Sequence, residues 1–107
     1  MPRINTKHAP DFIADLAPFT SNGAITGTVI PGGYLVTSYS TPIALIDTAA
    51  KLCHLNIERY STTTSKHQHA ARLAARDLVT AADYLINEYT AAAFETATGL
   101  HARAGRE

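Results

Sequence analysis

Two hydrophobic periods divide this chain. Up to about residue 60, apolar side chains alternate with hydroxyl and polar ones as in strands; beyond Ser65 they recur every three to four residues. Residues 1–8 are polar and predict a loose start. Asp11 to Leu16 predicts a short helical turn with Phe12, Ile13 and Leu16 on one side, ended by Pro18. Ser21-Asn22-Gly23 is a turn and Ala24 to Ile30 a strand. Pro31-Gly32-Gly33 then makes a hairpin turn in which glycine supplies positive φ, followed by a strand from Tyr34 to Tyr39. Pro42 has no N–H for a ladder, so a bend, a bulge or a sheet edge is expected there. Ile43 to Ile46 resumes the extended run. Leu52 to Tyr60 is the last strand, with Leu55 and Ile57 on one face and His54, Asn56 and Glu58 on the other.

The helical part begins at a hydroxyl run, Ser61-Thr62-Thr63-Thr64-Ser65. Ser65 as N-cap places Gln68 at the third helical position, the spacing of a capping box. Ala71, Ala74, Leu78, Ala82, Leu85 and Tyr89 share one face, with Val79 and Ile86 at its margin. No strong breaker precedes Gly99, so the pattern predicts a helix from Lys66 to about Ala97, roughly 48 Å long at 1.5 Å per residue. A domain of this size has a radius of gyration of about 13 Å. The helix therefore either breaks near Asn87–Thr90 or packs its Ala91-Ala92-Ala93-Phe94 end on another chain. Short links between strands favour antiparallel neighbours. The expected class is α+β: a three- to four-stranded antiparallel β-meander followed by one long C-terminal helix packed on the sheet. Residues 1–107 read as one domain with 1–10 and 100–107 as flexible termini.

Composition agrees with a packed globule. Of 107 residues, 46% are hydrophobic and 17% charged, which argues against global disorder. No apolar run approaches the length of a membrane span or a secretory signal, so no membrane partner is expected. The single Cys53 excludes an intrachain disulfide and suits a reducing compartment. Nine basic and nine acidic residues cancel, but their distribution is uneven. From Thr48 to Arg76, Lys51, Arg59, Lys66, Arg72 and Arg76 face Glu58 alone; from Asp77 to Glu95 come Asp77, Asp83, Glu88 and Glu95 with no base.

This asymmetry falls on the helix start, whose partial positive charge ordinarily attracts acids. Ser65, His69, Arg72 and Arg76 lie within a sector of about 60° at 100° per residue, with Lys66 beside them. Orphan N–H groups, hydroxyls and arginines on one face suit a phosphate or another anion. The plainer alternative is a solvated face whose arginines pair with Asp47, Glu58 or Asp83. His67 points with the core stripe and is expected to tuck between helix and sheet, donating to a strand carbonyl or hydroxyl. His67 and His69 diverge on a helix, so no metal site is expected. Cys53 and His54, adjacent on a strand, point to opposite faces and do not make a nucleophile pair. Tyr34, Tyr39 and Tyr60 with Arg59 either offer stacking surfaces or fill the edge of the core. No phosphate loop, dinucleotide fingerprint or nucleophile elbow is present, so neither a cofactor nor a catalytic residue is nominated.

Two segments carry a further resemblance. Ser38-Tyr39-Ser40-Thr41-Pro42-Ile43-Ala44 reads Ser-Tyr-x-Thr-x-Ile-Ala, and Tyr60 to Gln68 reads Tyr-Ser-x-Thr-Thr-Ser-Lys-His-Gln. Together, from Tyr34 to Gln68, they resemble a domain of unknown function in small proteins of tailed phages, especially those of actinobacteria. The resemblance implies a phage product acting in the host bacterial cytoplasm. It supplies no activity or site. Ser38, Tyr39 and Thr41 are placed to meet the Ser/Thr junction in a hydroxyl network that fixes the helix, or else to bind a ligand.

The first functional expectation is a non-enzymatic phage accessory protein that binds nucleic acid through Arg59, Ser65, Lys66, His69, Arg72 and Arg76. The alternative is a protein-interaction module, a homodimer or a binder of a host bacterial protein, using Tyr89, Ala92, Ala93 and Phe94 at the Ala-rich helix end.

Overall fold

A computed structural model describes residues 1–101. A 3-10 turn (Thr6–His8) leads into α1 (Ala9–Ala14), followed by β1 (Phe19–Ser21), β2 (Ile25–Ile30), β3 (Gly33–Ser38), β4 (Thr41–Asp47) and β5 (Leu52–Asn56). Then come α2 (Thr62–Ala82), β6 (Leu85–Tyr89) and α3 (Ala91–Thr98). The strands form one six-stranded sheet in sequence order. β1 to β5 are an antiparallel meander, and β6 joins β5 in parallel. The expectation of three or four antiparallel strands with a long C-terminal helix is overturned: the sheet is mixed, it has six strands, and the long helix is central.

The helix stops because the molecule does. Twenty-one residues span about 32 Å at 1.5 Å per residue, and the longest dimension of the fold is 32 Å. Asp83 then takes a left-handed conformation, φ 61°, and its N–H donates to the Leu78 carbonyl. Neither glycine nor proline marks this break, and Leu85-Ile86-Asn87-Glu88-Tyr89 fits a helical stripe as well as a strand. The open edge of β5 decides between them. Leu52 to Asn56 pair with Leu85 to Tyr89, which satisfies backbone groups along both strands. The predicted break near Asn87–Thr90 comes several residues earlier, at Asp83.

The strand pattern is otherwise close to the prediction. A bulge lies opposite Val36 and Thr37, where Ile43 is left over between the Val36–Ala44 and Thr37–Pro42 pairs. That is the irregularity Pro42 required. The last antiparallel strand ends at Asn56 rather than Tyr60, and Ile57 is exposed rather than core-facing. β1 went unpredicted because it is three residues long. The first residues, read as loose, lie along it: Arg3 bridges Thr20, and the Thr6 and Ser21 hydroxyls meet at 2.6 Å. Of the C-terminal segment read as flexible, residues 102–107 lie outside the described residues.

One sheet face carries the main core. Ile25, Tyr34, Val36, Ile46, Cys53 and Leu55 pack under Ile13 of α1 and the Ala70, Ala71, Ala74, Ala75 and Leu78 stripe of α2. Alanine at the contact lets the helix backbone lie close to the sheet. Gly27 makes room within the sheet itself: a Cβ there would collide with the Tyr34 hydroxyl and the Phe19 ring. The other face is covered at one end by α3, where Phe94 and Ala91 bury Leu45, Tyr60 and Tyr89.

The break at Asp83 is testable. Asp83→Gly is expected to leave stability equal or higher, whereas Asp83→Val should lower it by about 1–2 kcal/mol, the cost of a left-handed L-residue with a branched side chain. Urea denaturation of both variants checks this.

Candidate functional site

The junction between β5 and α2 is built almost wholly from the second motif. Ser61, in extended conformation, caps α2: its Oγ accepts from the Thr64 N–H at 3.1 Å. The cap is thus four residues earlier than Ser65, whose hydroxyl instead donates back to the Ser61 carbonyl at 3.0 Å. Gln68 is not a capping-box partner. Its Nε2 donates to the carbonyls of Asn56 (2.7 Å) and Glu58 (2.9 Å), holding the end of β5 against the second turn of the helix. Asn56 is buried, and its Nδ2 donates to the Pro42 carbonyl (3.0 Å) and the Tyr60 hydroxyl (2.9 Å).

A hydroxyl chain runs underneath. Ser61 donates to Thr64 Oγ1 at 3.2 Å, Thr64 meets Ser38 at 3.1 Å, and Ser38 meets His67 Nδ1 at 2.7 Å. Each hydroxyl has one proton. Thr64 Oγ1 accepts from Ser61, and the direction of the two remaining bonds follows the tautomer of His67. The predicted burial of His67 against a strand hydroxyl holds. Burial holds its pKa below the ordinary 6.5. Ser38 and His67 lie within hydrogen-bond reach, as in a nucleophile–base pair, but Ser38 is wholly buried and no substrate reaches it. Cys53 is equally buried, and desolvation pushes its thiol up to about 11.

Outside this node two shallow clefts flank Ser65. One, about 170 Å³, is lined by Ser65, Gln68, His69 and Arg72 with Ile43, Leu55, Asn56 and Ile57. The other, about 300 Å³, is lined by Arg59, Tyr60, Ser61, Thr62 and Ser65. The fold thus brings Ser65 together with His69 and Arg72 on one side and with Arg59 on the other. Lys66 and Arg76 are exposed and line neither cleft. Arg72 bonds Glu88 on β6 at 2.7 Å, with both side chains about 40% exposed. This partner is none of the three carboxylates expected, because the sequence pattern put Glu88 within the same helix. Tyr34 fills the core and donates to the Ala17 carbonyl, and Tyr60 lies over α3, so neither is a stacking platform. Tyr39 remains 43% exposed at the edge of the node, its ring centroid 6.0 Å from that of His67.

The Ala-rich segment is spent differently from the alternative expectation. Phe94 is fully buried within the chain and Tyr89 packs against it, its hydroxyl 3.0 Å from His54 Nδ1. Ala92 and Ala93 face outward. Glu58 accepts from the Ala91 N–H at 3.0 Å and so steadies the start of α3. Among the described residues no group of three His, Cys, Asp or Glu is placed to hold a metal ion. No helix among them is long and apolar enough to cross a membrane.

Residues 11–81, most of the chain, match a family of unknown function, DUF8033. The chain belongs to that family. The DUF8033 region runs from α1 through nearly all of α2 and contains the whole node, while β6 and α3 lie beyond it. No match is found among curated proteins or solved structures.

The node dominates local stability. Ser38→Ala strands the Thr64 hydroxyl and His67 and should cost about 1–3 kcal/mol, whereas Arg72→Ala removes a half-exposed ion pair and should cost less than about 1 kcal/mol. Both are read from urea midpoints. The His67 contribution depends on pH. Its folded pKa is depressed, so the unfolded chain binds the proton more readily. Stability is fully present above 6.5 and is lost as pH falls toward the depressed value. His67→Gln should flatten the fall in urea midpoint between about pH 7 and pH 5.

Proposed function

We propose that this DUF8033 protein is a non-enzymatic accessory protein that binds nucleic acid through the outward face of α2. The observation that carries the reading is the placement of Ser65, Lys66, His69, Arg72 and Arg76 on the side of α2 away from its buried stripe, with Arg72 at the margin next to β6. All are solvent-accessible, and α2 itself carries no carboxylate before Asp77. The ridge from Thr62 to Arg76 is about 21 Å long at 1.5 Å per residue. It begins at helix amides left free by the single Ser61 cap, with Arg59 alongside. Such a surface suits successive phosphates of a duplex, contacted as charges and not read as sequence.

The ion pair between Arg72 and Glu88 leaves Lys66 and Arg76 as the free cations of the ridge, since neither is ion-paired among the described residues. Arg72 contributes once a phosphate competes with Glu88. The resemblance of the two motifs to tailed-phage proteins supports a phage origin and a role in the host bacterial cytoplasm. A non-enzymatic role is supported by the burial of Ser38, His67 and Cys53, which keeps these groups from a substrate.

Fluorescence anisotropy with a mixed-sequence duplex tests the reading. Binding is expected at about 50 mM salt, weakening steeply as salt rises. Lys66→Glu with Arg76→Glu should weaken it by about tenfold or more, and both positions are exposed, so the fold should persist. An undetectable complex at low salt, or an unchanged affinity in the double variant, overturns the proposal.

A further inference from the structure

β6 closes the sheet, and nothing among the described residues pairs with its outer edge. The direction of its backbone groups follows from two bonds. The Leu85 N–H donates to the Lys51 carbonyl at 2.9 Å, and the Tyr89 carbonyl accepts from the Ile57 N–H at 2.8 Å. Alternate residues of a strand turn their N–H and C=O to opposite sides. Leu85, Asn87 and Tyr89 therefore address β5, and Ile86 and Glu88 present theirs outward.

Natural sheet edges are usually blunted by proline, lysine, a bulge or extreme shortness. β6 has none of the first three over its five residues. Leu85 is 69% exposed, the most exposed large apolar side chain among the described residues. The only charge, Glu88, is drawn back toward α2 by Arg72.

We propose that β6 pairs antiparallel with β6 of a second copy, about a two-fold axis at Asn87. Because only Ile86 and Glu88 point outward, a symmetric pair must centre on Ile86, Asn87 or Glu88. Centring on Glu88 opposes two like charges. Centring on Ile86 sets Glu88 against Tyr84 of the partner subunit, a buried residue outside the strand. Centring on Asn87 lets Ile86 exchange both backbone bonds with Glu88 of the partner subunit, and the reverse. It also places Leu85 opposite Tyr89 of the partner subunit, an aliphatic–aromatic pair of the kind that stabilises antiparallel ladders. This match of backbone and side chains is what selects a second copy over an unrelated strand. A two-fold normal to the sheet carries both α2 helices on the same face, although the pairing does not depend on what α2 binds. β6 lies beyond the DUF8033 match, so the interface belongs to the part of the chain outside the shared region.

The test uses the full chain, with sedimentation equilibrium at micromolar concentrations and amide hydrogen exchange read residue by residue. A dimer is expected, with the Ile86 and Glu88 amides protected as well as those that face β5. Asn87→Lys sets two cations face to face on the axis at an exposed position. It should weaken the dimer by about tenfold or more and free those two amides, leaving the Leu85 amide protected by Lys51. A monomeric mass with freely exchanging Ile86 and Glu88 amides overturns the proposal. So does a dimer that survives Asn87→Lys, or one in which those amides stay unprotected.

Discussion

A single buried hydroxyl sets the position of the long helix. Ser38, at the end of β3, bonds both Thr64 and His67, one turn apart on α2. Alanine dominates the rest of the helix–sheet contact, and a smooth alanine stripe fixes neither rotation nor sliding well. Buried polar groups do, because an unpaired hydroxyl or imidazole costs on the order of 1–3 kcal/mol. A one-residue slip of the helix would break both bonds at once. The Gln68 clamp on the Asn56 and Glu58 carbonyls fixes the same register from the other side.

This register has consequences at the surface. With His67 and Thr64 turned inward, Ser65, His69 and Arg76 are turned outward by the geometry of 100° per residue. The core-facing chemistry of the second motif thus orients the basic ridge without any residue of the ridge taking part. The motif residues themselves are occupied: Ser61 in the cap, Thr64 and His67 in the hydroxyl chain, Gln68 in the clamp, Tyr60 on Asn56. Of the two roles open to the motifs, fixing the fold accounts for these contacts. The proposed ligand face falls to the exposed residues beside them.

Much of the antiparallel meander was legible. The Pro-Gly-Gly turn, the bulge required by Pro42, the stripe from Ala71 to Leu78 and the inward His67 all follow from local chemistry and periodicity. The site was legible in part. The shared face of Ser65, His69, Arg72 and Arg76 is a property of one helix and survives in the structure. The Arg72–Glu88 pair was not legible, because it joins the helix to a strand read as its own continuation. The cap was misplaced among several adjacent hydroxyls, each a competent N-cap by residue type.

By itself the sequence determined where hydroxyls, glycines and prolines would interrupt the backbone, and which side of the helix would be apolar. Those are local matters of φ, of missing N–H groups and of side-chain period. Only the tertiary structure decided that residues 85–89 are a strand. Their pattern fits a helix and a strand alike, and the choice falls to the unpaired edge of β5 and to a molecule no longer than the helix already formed. The same decision moved Glu88 beside Arg72, buried Phe94 on the opposite face and left an open edge where the sequence suggested a helix end.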